Sequence, residues 1–196
     1  MKTKKQLLLI MLFPALLMLA ACSHMQWTSP PPMTIDQGKE YAATIETNFG
    51  DIEVQLFAEE APIAVNNFVF LARQGFYDGL KFHRVVKGFL IQGGDPEGTG
   101  TGGPGYTFED EEVTRDYVAG TLAMANRGSD TNGSQFFITL ANLSSLPKNY
   151  TIFGIVTGGF NSINKIADVR VSPDQSGEWS IPDAKVLIET ITITEK

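Results

Sequence analysis

Nucleophiles, metal ligands and positive charge are all scarce in this chain. It has one cysteine, Cys22, and two histidines, His24 and His83. A structural zinc site draws four ligands from such residues, and this set cannot supply them. No internal disulfide is available, so the fold must rest on its apolar core. A Ser-His-Asp triad would need His83, which sits in a strand-prone run beside Arg84; Ser134 lacks the G-x-S-x-G turn that exposes a nucleophilic serine. Lysine and arginine number 15 against 22 acidic residues, a formal net charge of −7. That balance lacks the basic footprint of a nucleic-acid binder. The longest apolar run, residues 7–21, is broken by Pro14 and falls short of the ~20 residues of a spanning helix.

What is present begins with an address. Lys2, Lys4 and Lys5, a short apolar run and small residues before a cut point read as a secretion signal over residues 1–21. Leu19-Ala20-Ala21-Cys22 resembles a bacterial lipobox, which implies that Cys22 carries lipid and becomes the first mature residue. The expected location is extracytoplasmic, anchored to a bacterial membrane. Residues 22–38, with Pro30-Pro31-Pro32, read as a flexible, Pro-rich tether. Losing residues 1–21 removes three lysines and no acid, taking the formal charge from −7 to −10. Residues 39–196 then form one domain, long enough to bury a core without staples.

The domain reads as strand-rich. Ile52, Val54 and Leu56 alternate with Glu53 and Gln55, the period of a half-buried strand. Tyr41–Thr47 is a second β-prone run, joined to it by a turn at Asn48-Phe49-Gly50-Asp51. Pro62 and Gly75 bracket a helix whose Val65, Phe68, Val69 and Ala72 share one face. Leu80–Val86, Phe89–Gln92, Thr121–Ala125, Gln135–Thr139 and Ile152–Val156 are further strand candidates, with a second helix over Phe160–Asp168. Residues 93–105 hold seven glycines and two prolines and must be a loop. Gly98, Gly100 and Gly103 fit G-x-G-x-x-G, but Pro104-Gly105 follows where a phosphate-binding helix would begin. Glu109-Asp110-Glu111-Glu112 lacks the spaced pattern of a calcium loop and reads as a solvated acidic turn. Many short strands with two helices predict a mainly β fold: a closed or nearly closed antiparallel barrel, helices at its ends.

Two stretches concentrate the chemistry. Phe82-His83-Arg84-Val85-Val86-Lys87-Gly88-Phe89-Leu90-Ile91-Gln92-Gly93-Gly94-Asp95 sets one arginine beside apolar residues and a glutamine. Asn132-Gly133-Ser134-Gln135-Phe136-Phe137-Ile138 adds a second glutamine and two rings. Together they suit a water-poor groove with one fixed positive charge, better fitted to rotating a bond than to cleaving it. With Gly120-Thr121-Leu122-Ala123-Met124-Ala125-Asn126 and Phe153-Gly154, these blocks resemble the cyclophilins, a family of peptidyl-prolyl cis-trans isomerases, from about Tyr41 onward.

The resemblance implies a closed eight-stranded antiparallel β-barrel capped by two α-helices. It implies proline-containing polypeptides as substrates, no cofactor and no metal. Arg84, Gln92 and Asn126 fall on the family's catalytic positions. Phe89, Leu90, Ala125, Gln135, Phe137, Leu146 and Tyr150 fall on its substrate-binding positions. Ser144-Ser145 stands where many relatives place an aromatic residue before Leu146, so weak cyclosporin binding is expected. Tyr150 aligns with a histidine common in the groove.

The chemistry follows from the peptide bond. Rotation faces a barrier of ~18–20 kcal/mol, and X-Pro bonds exchange isomers in tens to hundreds of seconds. A catalyst must favour the twisted amide, whose prolyl nitrogen regains a lone pair. Arg84 is the donor expected there, since arginine stays charged and its fork is rigid. On residues alone Arg84 serves equally well as a structural ion-pair partner. Phe89 and Phe137 could be core; alternation sends Phe136 away from any groove that Phe137 faces. Two functions stay open: a prolyl isomerase for unfolded or exported chains, and a non-catalytic X-Pro-binding chaperone or assembly module. The default assembly is a monomer.

Overall fold

The computed structural model describes residues 25–196. Cys22, His24 and the expected signal lie outside them. The described strands are β1 (Tyr41–Thr47), β2 (Ile52–Leu56), β3 (Arg84–Val86), β4 (Leu90–Gly93), β5 (Thr121–Met124), β6 (Phe136–Thr139), β7 (Ile152–Gly158), β8 (Val171–Pro173), β9 (Trp179–Pro182) and β10 (Ile188–Glu195). Helix α1 (Pro62–Arg73) lies between β2 and β3, and α2 (Phe160–Ala167) between β7 and β8.

Local sequence explains most of these elements. In β2 the alternation buries Ile52, Val54 and Leu56 and exposes Glu53 and Gln55. The β1–β2 turn closes with Gly50 N–H donating to Thr47 O at 2.9 Å. Val65, Phe68, Val69 and Ala72 of α1 are all buried. Ala61 offers no side-chain cap to that helix. Glu111 supplies one from a distance, accepting the N–H groups of Ile63 and Ala64 at 2.8 and 2.9 Å. The acidic stretch at 109–112 is therefore partly structural rather than merely solvated.

Eight strands form one curled sheet in the order β10-β1-β2-β7-β5-β6-β4-β3, and β8 and β9 form a separate hairpin. The expected barrel closure is corrected: β10 and β3 are the sheet's two ends, and no ladder joins them. Only the segment before β3 reaches across. Gly79 N–H donates to Ile188 O, Ile188 N–H to Leu80 O, and Phe82 N–H to Val186 O. The predicted strand Leu80–Val86 is accordingly shortened to Arg84–Val86, with Lys81 in isolated bridges to Asp95 and Leu187.

Strands β5 and β6 are buried along their whole length, because alternate side chains enter two apolar layers. The inner layer holds Phe68, whose ring lies 5.3 Å from Tyr77, 5.5 Å from Phe136 and 5.3 Å from Phe153. The outer layer gathers Leu90, Tyr117, Ala123, Phe137 and Ile152. Phe136 points inward and Phe137 outward, as alternation requires.

Residues 25–38 differ from the free tether expected. Trp27 packs edge-on against Phe70 at 5.3 Å and tilts against Phe76 at 5.9 Å. The backbone N–H of Trp27 donates to Pro104 O, and Asn66 of α1 accepts the N–H groups of Thr34 and Ile35. An indole with apolar neighbours and satisfied backbone bonds outweighs the stiffness of three prolines.

Candidate active site

The site begins as a register. Arg84 of β3 faces Gln92 of β4, Gln92 faces Phe137 of β6, and Phe137 faces Ala123 of β5. Cross-strand partners on one face touch, so this row carries a charge, an amide and an apolar surface side by side. The turn at Lys87-Gly88 sets the β3–β4 register: Phe89 N–H donates to Val86 O, and Gly88 takes φ 71°.

A directed chain of hydrogen bonds runs along this row. Arg84 Nη1 donates to Gln92 Oε1 at 3.3 Å, Gln92 Nε2 to Gln135 Oε1 at 3.0 Å, and Gln135 Nε2 to Gly102 O at 2.8 Å. Each amide thus uses its acceptor on one side and its donor on the other. Gln92, Gln135, Ala125 and Asn126 line a cleft of ≈ 230 Å³ together with the loop residues Gly102 and Thr107.

The loop forming the far wall is held from below. Buried Asp95 accepts the N–H groups of Glu97, Thr99 and Gly100. Burial pushes the Asp95 carboxyl up, yet the bonds from Glu97, Gly102 and Gly100 bring it below its usual range. Any side chain at Gly102 would run into Asp95 Oδ1, so close approach demands glycine there. Asn67 of α1 donates to Gly133 O and accepts from the Tyr106 hydroxyl, tying the helix to the opposite wall.

Beside the cleft, Phe89, Leu90, Ala125, Phe137, Leu146 and Tyr150 belong to the outer apolar cluster. Phe137 and Tyr150 meet edge to face with centroids 5.6 Å apart. The Arg84 guanidinium carbon lies 6.0 Å from the Phe89 ring centre. The side chain of Asn126 is committed to Asn149 O at 2.7 Å, which leaves its backbone to face a ligand. The expected site residues therefore come together around one cleft and the apolar patch adjoining it.

Three features add to the sequence reading. The ion-pair alternative for Arg84 is realised, with a partner the sequence did not name: Nε donates to Glu178 Oε2 at 2.8 Å and Nη2 to Glu178 Oε1 at 2.9 Å. The guanidinium holds the Glu178 carboxyl below its usual range, against the opposing effect of partial burial. No sequence pattern pairs residues 94 positions apart. Tyr117, in the outer cluster, fixes Tyr150, donating to its carbonyl at 2.9 Å and accepting its N–H at 3.1 Å. His83 is buried, and neither ring nitrogen makes a well-formed hydrogen bond among the described residues, the Lys81 backbone being its nearest polar neighbour. Burial pushes its imidazole below the ordinary range; Asp95 and the Lys81 backbone partly offset this, and Arg84 adds to it.

A cleft lined by two glutamine amides and Arg127, with the Arg84 guanidinium bonded to one of those amides and an apolar patch alongside, can bind and polarise a neutral amide. Comparison with known proteins agrees with that chemistry. Residues 42–193 match the model of the cyclophilin type peptidyl-prolyl cis-trans isomerase/CLD family. The chain is 44% identical over 157 residues to the peptidyl-prolyl cis-trans isomerase CYP18-1 of Arabidopsis thaliana, covering 78% of this chain and 95% of that protein. It is 48% identical over 128 residues to a peptidyl-prolyl cis-trans isomerase of Helicobacter pylori, covering 63% and 78%. Among solved structures, a Cryptosporidium parvum cyclophilin type peptidyl-prolyl cis-trans isomerase superposes with a TM-score of 0.73 at 39% identity, covering 80% of this chain and 99% of that one. The chain belongs to the cyclophilin family. It is an isomerase, a cyclophilin-type peptidyl-prolyl cis-trans isomerase.

Proposed function

We propose that this isomerase works outside the cytoplasm, held to a bacterial membrane by lipid on Cys22, and turns X-Pro bonds in unfolded or exported chains. The Arg84–Gln92–Phe137 row carries the catalytic part of this reading. The proline ring lies on the apolar patch of Phe89, Leu90, Phe137 and Leu146. The preceding carbonyl and the chain beyond it run into the cleft along Ala125, the Asn126 backbone and Gln135. A Cryptosporidium parvum relative solved in the presence of the dipeptide Ala-Pro, with a TM-score of 0.71, supports a proline-containing ligand.

Catalysis then needs no nucleophile. As the amide twists, conjugation is lost and the prolyl nitrogen becomes basic. The Arg84 guanidinium donates toward that lone pair, and Gln92 holds the Nη1 end in place. A donor already oriented costs little reorganisation at the moment of rotation, and the apolar wall keeps the local dielectric low.

The address rests on Leu19-Ala20-Ala21-Cys22. Mass spectrometry of the mature amino terminus tests it: an acylated Cys22 is expected, and a chain that keeps residues 1–21 contradicts the anchor.

A further inference from the structure

The β8–β9 hairpin has no part in the main sheet, yet it delivers a carboxylate to the site. Asp174 builds the turn. Its Oδ1 accepts the N–H groups of Ser176 and Glu178, and its carbonyl accepts the Gly177 N–H. Gly177 takes φ 89°, which few other residues tolerate. The hairpin strand β9 lies against β3, so Glu178, the residue just before β9, meets Arg84.

The contact is selective about edges. Glu178 takes the Nε/Nη2 edge of the guanidinium, while Nη1 is directed to Gln92, which lines the cleft. Of the five N–H donors of an arginine, three are engaged in these bonds, which leaves one N–H on Nη1, the atom bonded to the cleft residue Gln92, and one on Nη2. Arg84 is 29% and Glu178 37% exposed. At that exposure an ion pair contributes little to global stability. Its geometric effect is larger, because two parallel bonds fix a long side chain that one 3.3 Å bond to Gln92 would leave mobile.

We propose that Glu178 is a positioning residue for the isomerase reaction: it holds the Arg84 guanidinium from behind, with the Nη1 end at the cleft. This rests on Arg84 being the catalytic donor. The residue acts only through Arg84 and need not touch the substrate.

The test is steady-state kinetics by NMR exchange on an X-Pro peptide for Glu178→Ala, Glu178→Gln and Glu178→Asp. Glu178→Ala and Glu178→Gln should lower kcat about tenfold with KM changed less than about twofold, since misplacing a reacting group acts on the transition state. Glu178→Asp, which keeps the charge on a shorter arm, should recover part of the loss. Asp183→Ala breaks the hairpin's other ion pair, with Arg170, and should leave kcat unchanged. In an Arg84→Ala background, Glu178→Ala should add nothing further. A folded Glu178→Ala enzyme with unchanged or raised kcat overturns the positioning role; raised turnover would make the carboxylate a brake. If Arg84→Ala itself leaves turnover intact, it is the catalytic reading that fails, whatever Glu178 does.

Discussion

Gln92 stands between Arg84 and Gln135, accepting from the first at 3.3 Å and donating to the second at 3.0 Å. A guanidinium at one end and the Gly102 carbonyl at the other give this chain a single direction. Such chains polarise their members, and they fix the cleft wall to the reacting charge.

Removing the middle of the chain should therefore matter more than its modest bonds suggest. Gln92→Ala is expected to lower kcat/KM on the order of tenfold, less than loss of the arginine, because Glu178 still holds the guanidinium. The double variant Gln92→Ala/Glu178→Ala should fall further than either alone. Equal activity of Gln92→Ala and wild type in an NMR exchange assay would contradict the chain's role.

Ser145 is exposed beside Leu146, at the position where the sequence resemblance leads one to expect a large ring. Weak cyclosporin binding is expected for the wild type. Ser145→Trp should tighten it by one to two orders of magnitude, the gain of a buried aromatic contact of ~1.5–3 kcal/mol, with peptide turnover little changed. Isothermal titration decides this, and wild-type affinity equal to that of the tryptophan variant would refute the expectation.

Glu111 caps α1 across 48 residues of chain. Glu111→Ala should cost about 1–2 kcal/mol, the usual range for a lost cap. Urea denaturation should show a lower midpoint with an unchanged slope. A midpoint equal to wild type would show the cap to be ornamental.

His83 gives a pH signature. Its imidazole is depressed below the ordinary 6.5, so between the folded and unfolded values the unfolded chain binds more protons. Stability therefore rises with pH through that window and is lost as pH falls below about 6.5. His83→Leu removes the titration and breaks no well-formed hydrogen bond, since neither ring nitrogen makes one. The drop in Tm from pH 7.5 to pH 5.5 should shrink in the variant. An identical drop in both proteins would place the effect elsewhere.

Much of this was legible in the chain. The period-two pattern of Ile52, Val54 and Leu56 and the i, i+3, i+4 face of Val65, Phe68 and Val69 are local signals, and the elements formed where they pointed. The blocks around Arg84 and Gln135 carried the site through their resemblance to a family. Glu178 was not legible, because only the hairpin at Asp174–Glu178 brings it to Arg84. Nor was the docking of residues 25–38: Trp27 finds Phe70 and Phe76 only once α1 is packed. The open seam between β3 and β10 depends on where the chain leaves the ladder, at Phe82-His83, and hydrophobic alternation runs straight through that point.

The central claim is that a guanidinium at the edge of this cleft lowers the barrier to rotation about an X-Pro bond. The direct measurement is the exchange rate of a proline peptide, by NMR, with wild type and with Arg84→Ala at equal concentration. The account predicts a folded variant whose kcat/KM falls on the order of 10²–10³, with peptide binding retained. A folded Arg84→Ala protein that turns the bond over as fast as wild type would contradict it.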